Sequence, residues 1–417
     1  MNDLEERKIL DPEKNEEDKN KRKFEFSKLI LSFFLIISIA FVGFIFRYNV
    51  FDTRMKVIVI SSILVLNVLG FIVILKNKKY KKIIRFIVSI IMILLIAVMS
   101  IFAIYYLKLD SSIRKMNQNS KNNKNNTEFE TKDVHTAESF NVYISGIDVG
   151  GDLSENSRSD VNIIASVNPN DGKILLTSVP RDTYLPIADG GNDEYDKLTH
   201  AGNYGVMSSL HTLERFLEIK IPYFVRVNFD SVIRIVDELG GVDVYVDESF
   251  TASVNKKFYP KGNVHLTGQD AIAFVRERYS LEEGDIGRGK NQEKLLAAII
   301  KKVTQPSILK NIDGLLEIME KNVVTNLSAK SLVDLAANQL VSRTNYDVKS
   351  QTLMGEYTLD LPSYAMPGYR LSMMVPNKES LVKVTEEINK VVKNTYVKTN
   401  TYINFEKETS SETENNN

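Results

Sequence analysis

Phe140-Asn141-Val142-Tyr143-Ile144-Ser145-Gly146-Ile147-Asp148 reads as a short strand that runs through a glycine and stops at an aspartate. Its β-branched and aromatic residues favour extended backbone. Two runs of the same kind follow, Val161–Val167 and Ile174–Val179. Helical spacing then takes over. Leu210, Leu213 and Leu217 recur within Ser208–Leu217, and Val232, Val236 and Leu239 in the next segment, as residues on one helix face do. Gly240-Gly241 ends that helix, after which Val242, Val244 and Val246 alternate as a strand. Leu295, Leu296, Ile299, Ile300 and Val303 mark Gln292–Val303 as an amphipathic helix, and Asn326-Leu327-Ser328 caps a helix through about Val341. Strand, helix, strand in succession predicts an α/β fold, an α/β/α layered domain with a mixed central sheet over residues 139–397.

Upstream the chain changes character. Leu29–Phe46, Val57–Leu75 and Phe86–Leu107 contain no charged residue, and each is near the roughly 20 residues a helix needs to cross a bilayer. A cleaved signal peptide fits the first run poorly, since small residues at a cleavage site are missing and two more spans follow. Arg47, Arg54 and Lys56 lie between the first and second runs, against Lys76, Lys78, Lys79, Lys81, Lys82 and Arg85 between the second and third. That bias, with the basic stretch Lys21-Arg22-Lys23 ahead of the first run, predicts a multi-pass protein of the cell membrane. Its N-terminus is cytoplasmic and its folded domain extracellular. The charged segment 1–28 reads as a disordered tail, the Asn-rich segment 108–138 as an extracellular linker, and 398–417 as a second disordered tail.

The 417 residues carry 53 Lys+Arg and 53 Asp+Glu, so bulk charge gives no pull toward nucleic acid. Cysteine is absent, which excludes disulfides, thiolate catalysis and iron–sulfur sites. The four histidines, His135, His200, His211 and His265, are scattered without metal-ligand spacing. No G-x-S-x-G elbow and no glycine-rich phosphate loop with its lysine appears.

Charged residues beside glycines or at strand ends are the candidates for chemistry. Asp148 ends one predicted strand and Asp160 opens the next, so the loop between them brings two carboxylates together, an arrangement suited to Mg²⁺. Arg181 follows Ser178-Val179-Pro180 at a strand end. Arg276 and Arg278 follow Ala273-Phe274-Val275, and on a strand they would share a face. Gly284-Asp285-Ile286-Gly287-Arg288 and Gln292 come next. An aspartate pair with arginines suits a pyrophosphate, because the guanidinium fork pairs bidentately with phosphate oxygens and keeps its charge. Taken singly, each residue also reads as a solvated loop residue. Arg181-Asp182 reads as a local ion pair, and Arg276 with Arg278 as charges guarding an edge strand.

The series as a whole resembles the LytR-CpsA-Psr family of cell-envelope proteins. The matching stretches are Ile144–Asp148, Arg158-Ser159-Asp160, Ser178–Thr183, Asp196–Ala201, Val227-Asn228-Phe229, Val236–Val242, Phe274–Arg278 and Gly284–Arg288 with Gln292. The three spans resemble the capsule-associated branch. The resemblance implies a phosphotransferase that attaches an undecaprenyl-pyrophosphate-linked glycopolymer, teichoic acid or capsular polysaccharide, to a peptidoglycan sugar hydroxyl. It implies Mg²⁺ on Asp148 and Asp160, and a pyrophosphate held by Arg158, Arg181, Lys197, Arg276, Arg278 and Arg288 with Gln292. Asp285 is then the general base beside Arg181, and an apolar pocket holds the lipid tail. Other roles compatible with these residues are a polyprenyl-pyrophosphate scaffold, pyrophosphate hydrolysis and the transcriptional role for which such proteins were first named. Two departures stand out: Gly150 replaces an arginine found in many relatives, and the segment before the domain is short where capsule-type relatives often carry an accessory domain.

Overall fold

Backbone polar groups that leave water must pair within their own segment, and a helix does this for a single apolar run. The uncharged runs are helical accordingly. The computed structural model describes residues 12–51, 53–75, 82–118, 132–134, 138–148, 153, 156–342 and 346–393. It divides into two units, residues 1–108 and 109–417. The first holds α1 (Pro12–Arg47), α2 (Thr53–Leu75) and α3 (Lys82–Gln118) through Lys108. Glu25–Arg47, Thr53–Ile74 and Ile83–Asn117 are long and apolar enough to cross a membrane. Phe33, Ile36, Ile39, Val65, Leu69, Leu94 and Val98 are exposed, which suits hydrocarbon rather than water. Polar contacts between helices are few and specific, as where the Asn67 amide donates to Ser38 Oγ at 3.1 Å.

The second unit strings together β1 (Phe140–Ile147), β2 (Ser159–Asn168), β3 (Lys173–Ser178), β4 (Tyr184–Pro186), β5 (Tyr195–Lys197), α4 (Leu198–Ala201), α5 (Val206–Leu217), β6 (Tyr223–Asn228) and α6 (Phe229–Glu238). It continues with β7 (Val242–Val246), β8 (Phe250–Thr251), β9 (Phe258–Tyr259), β10 (Gly262–Leu266), α7 (Gly268–Arg276), α8 (Asp285–Val303), α9 (Ile312–Asn322) and β11 (Val323–Thr325). α10 (Ala329–Ser342), β12 (Asp347–Thr352), β13 (Gly355–Pro362), β14 (Arg370–Pro376) and α11 (Lys378–Val392) follow.

Six strands form the central sheet in the order β11-β6-β1-β2-β3-β12. β1 pairs antiparallel with β2 and parallel with β6, and β12 runs parallel to β3. The sheet is therefore mixed, as the sequence predicts. One face buries Tyr143, Ile164, Leu175 and Phe224 against Leu210, Leu213 and Phe216 of α5 and Val384 and Ile388 of α11. The other buries Val142, Ile163 and Leu176 with Leu296 and Ile300 of α8 and Leu335 of α10. β1, β3, β6 and β12 all end at one edge, where ligands of open α/β sheets bind.

A smaller apolar cluster joins α6, α7 and the β7–β10 hairpin through Val236, Val242, Tyr259, Leu266 and Phe274. Here the expected strand at Ala273-Phe274-Val275 is instead the end of α7. Thr267 and Asp270 form a reciprocal capping box that starts this helix, and Ala271, Ile272, Phe274 and Val275 then fall on its buried side. A short apolar run does not by itself tell helix from strand. α8 likewise begins at Asp285, ahead of the expected Gln292, so Asp285 and Arg288 stand on its first turns.

Two expected boundaries also move. α1 begins at Pro12, so residues 12–28 are helical where a disordered tail was expected. α3 runs to Gln118, and in the second unit its Ile113 and Met116 are buried with Val323 and Ala329. Ser112 Oγ donates to Glu320 at 2.6 Å and Lys115 pairs with it at 2.8 Å. The expected linker thus opens as packed helix because it carries its own apolar stripe. Residues 119–131, most of the Asn-rich run, lie outside the described residues, as do 394–417.

Gly268 marks the tightest approach of α7 to α6. A Cβ there would overlap the Ile233 carbonyl and come within 2.9 Å of Asp237 Oδ2. Gly268→Ala is expected to cost about 1–3 kcal/mol by overpacking, read as a lowered denaturation midpoint. An unchanged midpoint would refute this packing.

Candidate active site

The site begins with a fault in strand pairing. Gly146 opposes Val161 and Ile147 opposes Ser159, so Asp160 is left without a partner across β1. An extra residue of this kind re-aims its side chain and recurs beside functional sites. Gly146 permits it, since a Cβ there would stand 2.8 Å from Val161 Cβ. Arg181 Nη1 donates to Asp160 Oδ1 at 2.6 Å. Asp148, just past β1, accepts from Arg276 Nη2 at 2.9 Å, and that guanidinium lies 5.1 Å from the Phe229 ring centre. The strand pairing thus brings the two aspartates to one end of the sheet, though the loop between them falls largely outside the described residues, Gly150 included.

Arg181 sits in the turn after β3, which Thr183 closes by donating N and Oγ1 to the Pro180 carbonyl. The expected Arg181–Asp182 pair is loose at 3.7 Å, and Asp182 is held more closely by Lys197 Nζ at 2.7 Å. Next to Lys197, the buried Asp196 accepts from His200 Nδ1 at 2.8 Å, Lys197 N at 2.7 Å, Ser363 Oγ at 3.0 Å and Ala365 N at 2.7 Å. Burial pushes its pKa up, yet the bonds from His200 and the backbone outweigh that and hold it below the ordinary value. His200 is therefore a structural partner.

Arg276 and Arg278 flank a residue that the sequence reading passed over. Glu277 is fully buried. Its Oε2 accepts from Ser253 N and Oγ, and its Oε1 from Arg278 N at 3.0 Å and Ser280 N at 2.9 Å. Burial acts to raise its pKa, but these donors bring it down to about 2. With Glu277 turned inward in extended backbone, both arginines project on either side of it. An acid between two arginines was the available signal.

Asp285 is the meeting point of the other side chains. Arg288 Nη2 lies 3.2 Å and Arg278 Nη1 3.7 Å from its Oδ1, and Tyr357 Oη donates to its Oδ2 at 3.1 Å. Arg181 also feels the Asp160, Asp182 and Asp285 charges, which raise its pKa although burial opposes them. Burial lowers that of Arg288, with Arg181 and Arg278 adding to the repulsion. Burial and the nearby Asp285 and Asp182 raise Tyr357, which stays protonated. Tyr357 arrives from the β13–β14 hairpin, which is pinned by Met374 N on the Asp182 carbonyl at 2.8 Å and by Ser363 and Ala365 on Asp196. No sequence signal linked that distant hairpin to the site.

The other expected residues are more peripheral. Arg158 is exposed at the lead-in to β2. Beside it, Ser157 Oγ accepts from the buried Arg226 of β6 at 3.0 Å. Gln292 Nε2 donates to the Val275 carbonyl at 3.4 Å and Asn291 Nδ2 to that of Phe274 at 3.2 Å, bracing the end of α7 from α8. Among the described residues no group of three or more acidic or imidazole side chains is placed to hold a metal. Two carboxylates still suit Mg²⁺, which takes one or two protein carboxylates and fills its shell with water and phosphate oxygens.

A model of the LytR_cpsA_psr family matches residues 103–395. A Bacillus mycoides protein named polyisoprenyl-teichoic acid–peptidoglycan teichoic acid transferase TagU is 38% identical over 210 residues, 50% of this chain and 67% of its own length. A protein of the same name from Halalkalibacterium halodurans is 33% identical over 54% of this chain and 73% of its length. Among solved structures, B. subtilis TagV matches with TM-score 0.52 and 25% identity, over 62% of this chain and 99% of its own. An Enterococcus faecalis protein titled a transcriptional regulator matches with TM-score 0.51 and 26% identity, over 63% and 90%.

Glu293, one residue past Gln292, supports the site from below. It is 2% exposed, accepts from Ser178 N and Thr352 Oγ1 at 3.2 Å, and burial raises its pKa to about 7. The fold therefore favours its protonated form. The stabilisation is full below the ordinary value of 4.5 and is lost as pH rises through about 7. Glu293→Gln is expected to flatten the fall in denaturant midpoint over that window. A wild-type midpoint that rises with pH there, unchanged by the substitution, would count against this account.

Proposed function

This chain belongs to the LytR-CpsA-Psr family, and from that premise we propose that it is a membrane-anchored glycopolymer transferase. It moves a polymer from a polyprenyl-pyrophosphate donor to a peptidoglycan hydroxyl and releases polyprenyl phosphate. The observation that carries this reading is the convergence of Arg181, Arg278 and Arg288 around Asp285, at the sheet edge where Asp160 is bulged outward. Guanidinium groups held together against their own repulsion are ready for an anion with several oxygens. The names carried by the teichoic acid transferase relatives point the same way.

In this reading the acceptor oxygen forms a bond to the polymer-bearing phosphorus, and the bridging P–O bond breaks with its electrons on the departing polyprenyl phosphate. Arg181, Arg278 and Arg288 hold the phosphate oxygens, with Arg276, Lys197 and the exposed Arg158 around them. Asp285 takes the hydroxyl proton. Phosphoryl transfer leaves the protein little covalent work beyond positioning and charge neutralisation. Asp148 and Asp160 would hold Mg²⁺, which when bound neutralises charge on the pyrophosphate. Arg276 and Arg181, each closed on one of these carboxylates, turn to phosphate when the donor enters. Teichoic acid and capsular polysaccharide both present this pyrophosphate. The bias of basic residues between spans supports a cytoplasmic N-terminus and an extracellular domain.

The test uses the full chain in detergent with a polyprenyl-pyrophosphate-linked glycan and peptidoglycan. Arg181→Ala and Asp160→Asn are expected to lower transfer about 100-fold or more, with thermal midpoints near wild type. Chelation should stop transfer and Mg²⁺ restore it. Normal transfer by either folded variant would remove the site assignment. Donor binding by wild type without release of polyprenyl phosphate would leave a scaffold instead of an enzyme.

A further inference from the structure

Two tyrosines stand at the open side of the arginine–aspartate cluster, from elements far apart in the chain. Tyr279, 80% exposed, follows Arg278, whose guanidinium lies 4.6 Å from its ring centre and donates to its Oη at 2.9 Å. Tyr357, 45% exposed, reaches in from β13 and donates a hydrogen bond from its hydroxyl to Asp285. Arg278 and Asp285 are 3.7 Å apart, so one ionic contact joins the two rings. Each ring offers an apolar face beside a polar hydroxyl, the kind of surface that is enriched where ligands or partners bind. The apolar surface runs on along the hairpin through Leu359, 78% exposed, and Tyr369, 63% exposed.

We propose that Tyr279 and Tyr357 form the acceptor subsite, a cradle in which a sugar ring of the wall glycan stacks with one hydroxyl directed at Asp285. The inference rests on the transferase reading and deepens it. A saccharide fits where a purely apolar ligand does not. Its C–H face matches a tyrosine ring, and its hydroxyls match the phenol, carboxylate and guanidinium groups at the ring edges. The continuation along the hairpin suits an extended glycan. Three anchors, Met374 on the Asp182 carbonyl, Ser363 and Ala365 on Asp196, and Tyr357 on Asp285, hold that hairpin against the site. The cradle is thus formed before the ligand arrives.

The test measures binding and turnover separately on the full chain in detergent. A soluble, uncross-linked peptidoglycan glycan fragment is titrated calorimetrically, and transfer is followed with graded amounts of the same fragment. Tyr279→Ala is expected to weaken fragment binding about five- to tenfold and to raise its KM alike, because a stacked ring supplies affinity on that scale. Tyr279→Phe keeps the ring and should restore both. The substitution lies on the surface, so a failure to fold is not an expected cause, and an unchanged thermal midpoint checks this. Fragment binding unaltered by Tyr279→Ala and Tyr357→Ala would overturn the proposal. Weakened fragment binding in a chain whose wild type transfers nothing would keep the subsite and remove the transferase reading.

Discussion

Like charges must be held together before any anion arrives, and that constraint shapes the domain. Arg181, Arg278 and Arg288 repel one another, and Arg288 is also substantially removed from water. Asp160, Asp182 and Asp285 relieve the repulsion, and each is placed by a different device. A bulge aims Asp160, a turn and Lys197 fix Asp182, and the first turn of α8 carries Asp285. On the proposed reading the cluster resembles a loaded ion-exchange site, in which an entering phosphate would replace carboxylate partners already present. Such replacement avoids exposing bare guanidinium groups in a poorly hydrated place.

Behind the charged residues stands a second set of buried acids. Glu277 turns inward to spread Arg276 and Arg278, Asp196 fastens the hairpin, and Glu293 ties α8 to the end of β3. Glu277 and Asp196 each accept hydrogen bonds from four donor groups, which holds them in place. A polar group inside protein is tolerable only when its partners are complete. Rigidity at this level fixes the spacing of the arginines.

Much of this was legible in the sequence. β1, β2 and β3 announced themselves by β-branched residues, and the Gly240-Gly241 stop stands at positive φ, 71° and 80°, as a helix end needs. The charges at strand ends marked the site because strand ends converge at one sheet edge. α7 was misread because five buried apolar residues look alike in strand and helix, and only the Thr267–Asp270 box distinguishes them. Tyr357, and the bonding of Asp196 within the matched stretch Asp196–Ala201, stayed hidden for another reason. Their importance comes from contacts across the chain, Tyr357 with Asp285 and Asp196 with Ser363, and periodicity reports only neighbours. Buried Glu277 and Glu293 looked like ordinary solvated acids, because burial is a property of the fold.

The β13–β14 hairpin has a bearing on the order of synthesis. It comes near the end of the domain, yet it supplies Tyr357 and the groups that complete the bonding of Asp196, and β12 just before it is an outer strand of the central sheet. A nascent chain that has emerged only as far as α10 already carries every arginine of the cluster but lacks one wall. Its folding must wait for long-range pairing of β12 with β3, which is slow by topology. The complete cluster with all its walls therefore exists only once almost the entire domain has left the ribosome.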